Sequence, residues 1–301
     1  MLGGRAFRCR ERDSVPRGVH SRLDVATVVG ILVAFGAVAL SAAIGGVDLS
    51  ILYQRYEAFL LVIGGTIGAT LISFPFKIFA RGIATGLRTV FSESEFHERE
   101  VIAVLVGFAD KARRHGLLAL EAEVAELEDA FLRRGVQLVI DGRDTDLVRK
   151  ILETEAIFVQ ERNAKSEAVF TTLGGYSPTL GIIGTVLGLI AMLKDLGNPT
   201  GPGAAGITSS IGTATAQAFV ATFFGILLAN LLWLPMASKI RERNKQLLLL
   251  REIMIEGILS IQAGDNPGLL EEKLNAFLDP SDLDTYKIEG EPVREPSLAG
   301  V

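Results

Sequence analysis

The chain has 301 residues, of which 49% are hydrophobic and 22% charged, and its formal net charge is −5. This charge provides no basic face for DNA or RNA, so nucleic acid is not expected as a partner. The single cysteine, Cys9, can form neither an intrachain disulfide nor a cysteine-based metal cluster. Charged residues are separated from long uncharged stretches, a pattern typical of chains that meet both lipid and water.

Four uncharged stretches are long enough to cross a bilayer, which requires about 20 apolar helical residues. They are residues 25–44, 58–76, 168–193 and about 213–237. The first stretch is too long for the core of a typical signal peptide. The sequence therefore predicts an all-α polytopic membrane protein with four transmembrane helices and a cytoplasmic helical domain.

The orientation of these spans follows from the positions of lysine and arginine. Arginines crowd the segment before the first span, and further basic residues follow the second and fourth spans. In the two loops between paired spans, the only basic residues are Arg55 and Lys194. Because basic residues are retained on the cytoplasmic side, we expect a multi-pass protein of the bacterial inner membrane with both termini in the cytoplasm.

The chain divides into six predicted segments. They are a cytoplasmic N-terminal segment (1–23), transmembrane helices 1 and 2 (24–78), a cytoplasmic helical domain (79–167), transmembrane helices 3 and 4 (168–238), cytoplasmic C-terminal helices (239–280) and a disordered tail (281–301).

Within the cytoplasmic segments, glycines indicate where helices end. Gly116 and Gly135 predict the ends of helices over 98–115 and 117–134. A third helix beginning near Asp146 has no breaker before the third span and is predicted to run into it. After the fourth span a charged helix continues, and Asn266 followed by Pro267 predicts the start of a short amphipathic helix.

Motifs of enzyme active sites are not present. The sequence has no HExxH, P-loop or Gly-x-Ser-x-Gly motif, and its three histidines lack metal-ligand spacing, so we expect neither an enzyme nor a cofactor. The spans also carry no ionisable residue, although proteins that move charge across membranes generally keep one there. Either the chain is a scaffold, or a partner supplies a carboxylate and this chain surrounds it.

Proline and threonine are the notable residues inside the spans. Pro178 predicts a bend in the third span, as either a plain kink or a hinge. Thr185 and Thr222 lie roughly 22 to 26 Å from the cytoplasmic ends of their spans at 1.5 Å per residue. They could form a polar level between helices, or each could bond a carbonyl of its own helix.

Glycine pairs at spacing four also occur in the spans. Gly184 with Gly188, and Gly64 with Gly68, favour close packing of membrane helices over a nucleotide-binding loop.

Two blocks of sequence resemble the MotA family of flagellar stator subunits, which includes the sodium-driven PomA and MotP types. They are residues 176–190, YSPTLGIIGTVLGLI, and residues 217–229, QAFVATFFGILLA, which are followed by Leu234 and Pro235. Shorter blocks at 116–121 and 255–262 extend the resemblance over about residues 24–280. The arginine-rich start and the tail lie outside it.

The resemblance implies roles for individual residues. Pro178 and Pro235 match the two prolines that the family ties to coupling ion flow with movement of the cytoplasmic domain. Arg113 and Glu121 match the charged pair that acts on the rotor; without the resemblance, they would be interpreted as an ordinary solvated surface. Thr185 matches a position where sodium-driven relatives carry threonine, and Thr222 could supply a second oxygen to the ion pathway.

The resemblance also implies partners. A MotB-type single-span subunit would bring the missing carboxylate into a ring of identical chains, expected to be a pentamer within membrane lipid, and the ring would act on a rotor switch protein of the FliG type. Sodium is favoured over protons as the coupling ion, with both left open. The main alternative is a TolQ or ExbB type energising subunit, which has one span before its cytoplasmic domain, where this chain has two. A secondary transporter would show matched broken helices, and none is evident.

Overall fold

The structure is a computed structural model that describes residues 24–46, 56–92, 98–196 and 207–278. The predicted N-terminal segment and disordered tail lie outside the described residues. The helices are α1 (Val25–Ile44), α2 (Tyr56–Ser73), α3 (Phe76–Phe91), α4 (Glu98–His115), α5 (Glu121–Glu126), α6 (Ala130–Ile140), α7 (Thr145–Leu196), α8 (Ile207–Leu228), α9 (Leu234–Ala263) and α10 (Pro267–Asn275). A 3-10 turn, Leu117–Leu120, precedes α5, and a π-helical turn, Ala229–Trp233, joins α8 to α9.

Four helical runs of the described chain are long and apolar enough to cross a membrane. They are α1, α2, part of α7, and the continuous run that joins α8 to α9. This confirms the four predicted spans and the all-α membrane fold.

Helix α7 contains 52 residues and is about 78 Å long at 1.5 Å per residue. The Asp144 carboxylate accepts hydrogen bonds from the backbone N–H groups of Asp146 and Leu147, at 3.0 and 3.3 Å, and so caps the start of the helix. The sequence from 145 to 168 contains no glycine or proline. The prediction of one helix from the cytoplasmic domain into the third span is therefore confirmed.

The cytoplasmic core is formed by α4, α5, α6, the first part of α7, the second half of α9, and α10. Its fully buried side chains include Leu105, Phe131, Leu152, Ile258 and Leu274. The predicted end of helix 98–115 and the start of the helix after Asn266 are both confirmed, and the Asn266 side chain caps α10 by accepting from the Gly268 N–H.

The predicted single helix over 117–134 is wrong. The chain breaks at Leu127, whose ψ of 130° is extended, and Asp129 starts a new helix by accepting from the N–H groups of Phe131 and Leu132 at 2.8 Å. Helix α6 then continues through Gly135 to Ile140. A Cβ at Gly135 would lie 2.4 Å from Ile258 Cδ1, so this glycine permits helix packing and does not end a helix.

In the membrane-spanning part, α7 packs on α8 along a seam of small residues. A Cβ at Gly184 would lie 2.5 Å from Ala221 Cβ, and one at Gly188 would lie 2.9 Å from Ala218 Cβ, which confirms packing through this pair. Added Cβ atoms at Gly64 and Gly68 meet nothing within 4 Å among the described residues. The predicted packing through that second pair is therefore not observed within the chain.

Candidate functional site

Four oxygen atoms from α7 and α8 meet within the third and fourth spans. The hydroxyls of Thr185 and Thr222 are in direct hydrogen-bond contact. Thr185 Oγ1 also lies 3.3 Å from the Gly181 carbonyl and 3.2 Å from the Ala218 carbonyl, and Thr222 Oγ1 lies 3.3 Å from the Gly181 carbonyl. The two threonines therefore form a shared polar level between the helices. Thr185 also bonds a carbonyl of its own helix, so both arrangements that the sequence left open occur at Thr185.

Glycine at position 181 makes this oxygen cluster possible. A Cβ at Gly181 would lie 2.8 Å from the Ala221 carbonyl oxygen and 3.0 Å from Thr222 Cα. Any larger residue would push α8 away and separate the hydroxyls. The contribution of the Gly181 carbonyl to the cluster was not predicted, although the Gly181-x-x-x-Thr185 spacing places both on one face of a helix.

The chemistry of this cluster is that of an uncharged cation cage. Hydroxyl and carbonyl oxygens can replace water around a cation, but they cannot hold a proton as a carboxylate does. No group of three or more His, Cys, Asp or Glu residues that could hold a metal ion occurs in the described part of the chain. The cluster could therefore form a wall of an ion pathway, and a proton-accepting group would have to come from elsewhere.

Pro178 lies one turn from this cluster, inside α7, which continues through it. It faces α8 at Gly225, where a Cβ would lie 2.6 Å from the Ser177 carbonyl oxygen and 3.2 Å from Pro178 Cα. The Ser177 hydroxyl beside it is buried and has no hydrogen-bond partner among the described residues. The proline thus sits where the backbones of the two helices approach each other closely.

Pro235 is the second residue of α9 and directly follows the π-helical turn. Proline has no N–H to donate to the preceding turn, which is the usual reason for a shifted hydrogen-bond register. The Asn230 side chain donates to the Ile226 carbonyl at 2.9 Å within this region. Leu234 packs against Gly174, one turn before Pro178, so both prolines belong to the same helix pair. The sequence signalled Pro235 but not the π turn.

Arg113 and Glu121 are exposed and lie on either side of the turn at Gly116. A neighbouring surface ion pair joins Lys111 of α4 to Glu123 of α5 across this turn. Neither Arg113 nor Glu121 forms an ion pair with the residues that the structure describes. The two charges therefore lie exposed near one turn of the cytoplasmic domain and are not paired with each other.

Asp24 forms a charge network that the sequence did not predict. Its carboxylate caps α1 by accepting from the Thr27 N–H at 3.1 Å, pairs with Lys239, and lies 3.2 Å from Arg243. The hydrogen bond from Lys239 is the main reason that the pKa of Asp24 is lowered, against the opposing effect of burial. The network ties the start of the first span to the segment after the fourth. An aspartate directly before an apolar run was the available signal.

Comparison with known proteins places this geometry in a family. Residues 123–253 match the sequence profile of the MotA/TolQ/ExbB proton channel family. The chain is 37% identical over 270 residues to Motility protein A of Bacillus subtilis, covering 89% of this chain and 96% of that relative. It is 33% identical over 258 residues to the Chemotaxis protein PomA of Vibrio alginolyticus, covering 85% of this chain and 96% of the relative.

Solved structures agree with these sequence relatives. The flagellar MotAB stator complex from Bacillus subtilis matches with a TM-score of 0.78 at 38% identity, covering 86% of this chain and 98% of that chain. The MotAB structure from C. jejuni also matches with a TM-score of 0.78, at 30% identity. The chain belongs to the MotA/TolQ/ExbB proton channel family, and within it to the MotA type.

Proposed function

We propose that this chain is a stator subunit of a bacterial flagellar motor, which forms an ion channel with a MotB-type partner and converts ion flow into torque on the rotor. The observation that carries the proposal is the oxygen cluster of Thr185, Thr222 and Gly181 in spans that contain no ionisable residue. Such a wall needs a carboxylate from a second protein, and a single-span partner can bring one.

The alternative, a TolQ or ExbB type energising subunit, is less well supported. Two apolar helices, α1 and α2, precede the cytoplasmic domain of this chain. The match with this chain covers 96% of Motility protein A of Bacillus subtilis and 96% of the Chemotaxis protein PomA of Vibrio alginolyticus. Stator function is therefore favoured over the energising of a transport complex.

The chain is a multi-pass protein of the inner membrane. Its basic residues favour both termini in the cytoplasm, with the two short loops outside. It assembles as a homo-oligomer, which we propose to be a pentamer around the partner helices. Each charge that crosses 100 mV would release about 2.3 kcal/mol for torque.

Sodium is the coupling ion that the oxygen cluster supports better. Two hydroxyls and two carbonyls within hydrogen-bond distance offer neutral oxygens that can replace part of the hydration shell of a sodium ion. We assign Thr185 and Thr222 to the ion pathway, Pro178 and Pro235 to a coupling hinge, and Arg113 and Glu121 to contact with the FliG-type rotor switch protein.

The test is swimming of a stator-deleted host that carries this chain with its MotB-type partner. Motor speed is measured against external sodium at fixed membrane potential for the parent, Thr185→Ala and Thr179→Ala. Thr179 is a matched control on the same helix, since its exposed hydroxyl donates only to its own helix, at the Tyr176 carbonyl. We expect Thr185→Ala to raise the half-maximal sodium concentration several-fold and Thr179→Ala to leave it unchanged.

Two other outcomes would overturn parts of this proposal. A parent whose speed ignores sodium and follows external pH would be a proton-driven stator, and the sodium assignment would be wrong. No swimming with any single-span partner, despite normal membrane insertion, would contradict stator function itself.

A further inference from the structure

A cavity of about 350 Å³ lies where α3, α7 and α9 meet, just beyond the ends of the third and fourth predicted spans. Its polar lining includes Arg88, Thr89, Asn163, Ser166, Arg243 and Asn244. This volume is within the range of small-ligand sites, and the lining is rich in hydrogen-bond donors. None of the proposed stator roles uses this cavity.

Close packing of α3 on α7 fixes the cavity walls. A Cβ at Gly86 would lie 2.3 Å from Phe170 Cε2, and one at Gly82 would lie 3.0 Å from Val169 Cγ2. The two glycines therefore hold α3 against the start of the third span. As a result, Arg88 of α3, which is exposed, lines the cavity together with Asn163 and Ser166 of α7.

The cavity has an excess of positive charge. Arg243 is only 12% exposed, and its carboxylate partner, Asp24 at 3.2 Å, is shared with Lys239. Arg88 forms no ion pair within the described ranges. The nearby carboxylate of Glu167 is already bound by Arg241 at 2.7 Å. No carboxylate lines the cavity in the part of the chain that the structure describes.

The hydrogen bonds already made by the lining leave Arg88 as the available cation. Arg243 donates to the Thr89 carbonyl at 2.5 Å and also to the Ser92 carbonyl, so its guanidinium is largely occupied by the protein. The Asn163 amide donates to the Asn244 side chain at 3.3 Å, which orders the opposite wall. Arg88 can therefore bind an anion without breaking an internal contact.

The depth of the cavity matches a layer that contains phosphate. Ser166 precedes the predicted third span by two residues, and Asn244 follows the predicted fourth span by seven, so the polar lining on these two helices extends about 3 to 10 Å beyond the span ends. Lipid headgroups occupy roughly the first 5 to 8 Å outside the hydrocarbon core. Basic pockets between membrane helices at this level suit anionic headgroups.

We propose that this cavity binds a phosphate group, which at this depth is supplied by the headgroup of an anionic lipid. Arg88 provides the charge, and the hydroxyl and amide groups around it provide further hydrogen bonds. The bound headgroup lies against the junction of α3, α7 and α9, the three helices that connect the spans to the cytoplasmic domain. A free phosphate ion would offer the same chemistry, and the experiment distinguishes the two sources.

The test is thermal unfolding of the purified full-length protein in detergent, titrated separately with short-chain phosphatidylglycerol, short-chain phosphatidylcholine and inorganic phosphate. Arg88→Gln removes the cation, and Arg81→Gln is the matched control, an exposed arginine of the same helix outside the cavity lining. Asn244→Asp is a second variant that adds a repulsive charge while keeping the acceptor for Asn163. Arg88→Lys tests rescue by charge alone.

We expect phosphatidylglycerol to raise the unfolding midpoint of the parent and of Arg81→Gln with the same half-saturating concentration. Arg88→Gln and Asn244→Asp should each raise that concentration at least ten-fold, and Arg88→Lys should recover part of the loss. If only inorganic phosphate gives the Arg88-dependent shift, the phosphate site holds and its source is the free ion. The proposal would be overturned if Arg88→Gln, Asn244→Asp and the parent gave identical titrations with phosphatidylglycerol and also with inorganic phosphate.

Discussion

The cytoplasmic domain and the transmembrane helices of this chain are stabilised in different ways. The cytoplasmic core buries side chains from six helices, among them Leu105, Phe131 and Ile258. In the membrane part, α1 has no buried residue, and α7 packs closely on α8 along a seam of glycine and alanine. The domain thus completes its core within one chain, whereas the spans leave most of their surface to lipid or to other subunits.

This difference predicts which kind of substitution destabilises each region. In water, burial of apolar surface stabilises the fold, so removing a large side chain from the cytoplasmic core destabilises it. In lipid, that driving force is absent between helices, and close approach of backbones matters more. Losing volume should therefore be costly in the domain, and adding volume should be costly in the spans.

The largest expected effect comes from Phe131→Ala. Phe131 is 2% exposed, and its ring supports the Arg251 guanidinium, which lies 4.0 Å from the ring centroid. Removal should destabilise the domain by about 3–5 kcal/mol. It should lower the thermal unfolding midpoint and speed amide exchange in α6. Phe158→Ala, at a position that is 59% exposed, is the control and should stay within about 0.5 kcal/mol of the parent. Equal losses of stability in the two variants would contradict the claim that burial of Phe131 stabilises the domain.

A smaller effect is expected from Gly225→Ala in the seam. The new Cβ would lie 2.6 Å from the Ser177 carbonyl oxygen, so α7 and α8 must separate, at a cost of about 1–3 kcal/mol. The same change at Gly64, where a Cβ meets nothing within 4 Å in the described chain, should leave the unfolding midpoint unchanged. The stability of both variants is measured by thermal unfolding in detergent and by the amount of folded protein in membranes. If both variants behave alike, the seam does not set the helix distance.

Asp24→Asn tests the network that joins the start of the first span to the segment after the fourth. It should lower the free energy of unfolding by about 1–2 kcal/mol at neutral pH, because it removes a charge-assisted hydrogen bond. The folded-state pKa of Asp24 is lowered, so its contribution is complete above the unfolded pKa of about 3.9 and is lost as pH falls through the folded value. The difference in unfolding midpoint between parent and variant should therefore narrow below about pH 4. The control is Asp110→Asn, which removes an exposed ion pair with Arg114 and should show a smaller difference from the parent at neutral pH. A midpoint difference between the parent and Asp24→Asn that widens at low pH would contradict a stabilising role for the Asp24 network.

The smallest effect on folding is expected from reversing Arg113 and Glu121 together. Both are exposed and outside any ion pair with the described residues, so stability should change by less than about 0.5 kcal/mol. Torque should nevertheless fall, because the charges that we propose to contact the rotor would be inverted, while ion conductance stays unchanged. Exchanging Lys111 and Glu123 is the control, since it keeps their mutual ion pair. Normal motility after the first reversal would reduce Arg113 and Glu121 to solvated surface.

Features set by composition over many residues could be predicted from the sequence, whereas features set by single contacts could not. The four spans and the unbroken start of α7 follow from long apolar runs and the absence of breakers. The depth of Thr185 and Thr222 placed them at one level, which their hydroxyl contact confirms. The break at Leu127 was missed because Leu120, Val124 and Phe131 keep a helical period across two helices that share one core. The role of Gly135 depends on Ile258, more than a hundred residues away.

The length of α7 would give the proposed hinge at Pro178 a mechanical advantage. From Pro178 back to Thr145 the helix extends for about 50 Å at 1.5 Å per residue. A tilt of about 5° at the proline would sweep the far end through roughly 4 Å, close to the rise of one helical turn. At the proposed hinge, an ångström-scale adjustment beside the oxygen cluster would thus be enlarged at the other end of one unbroken helix, without a separate transmission element between them.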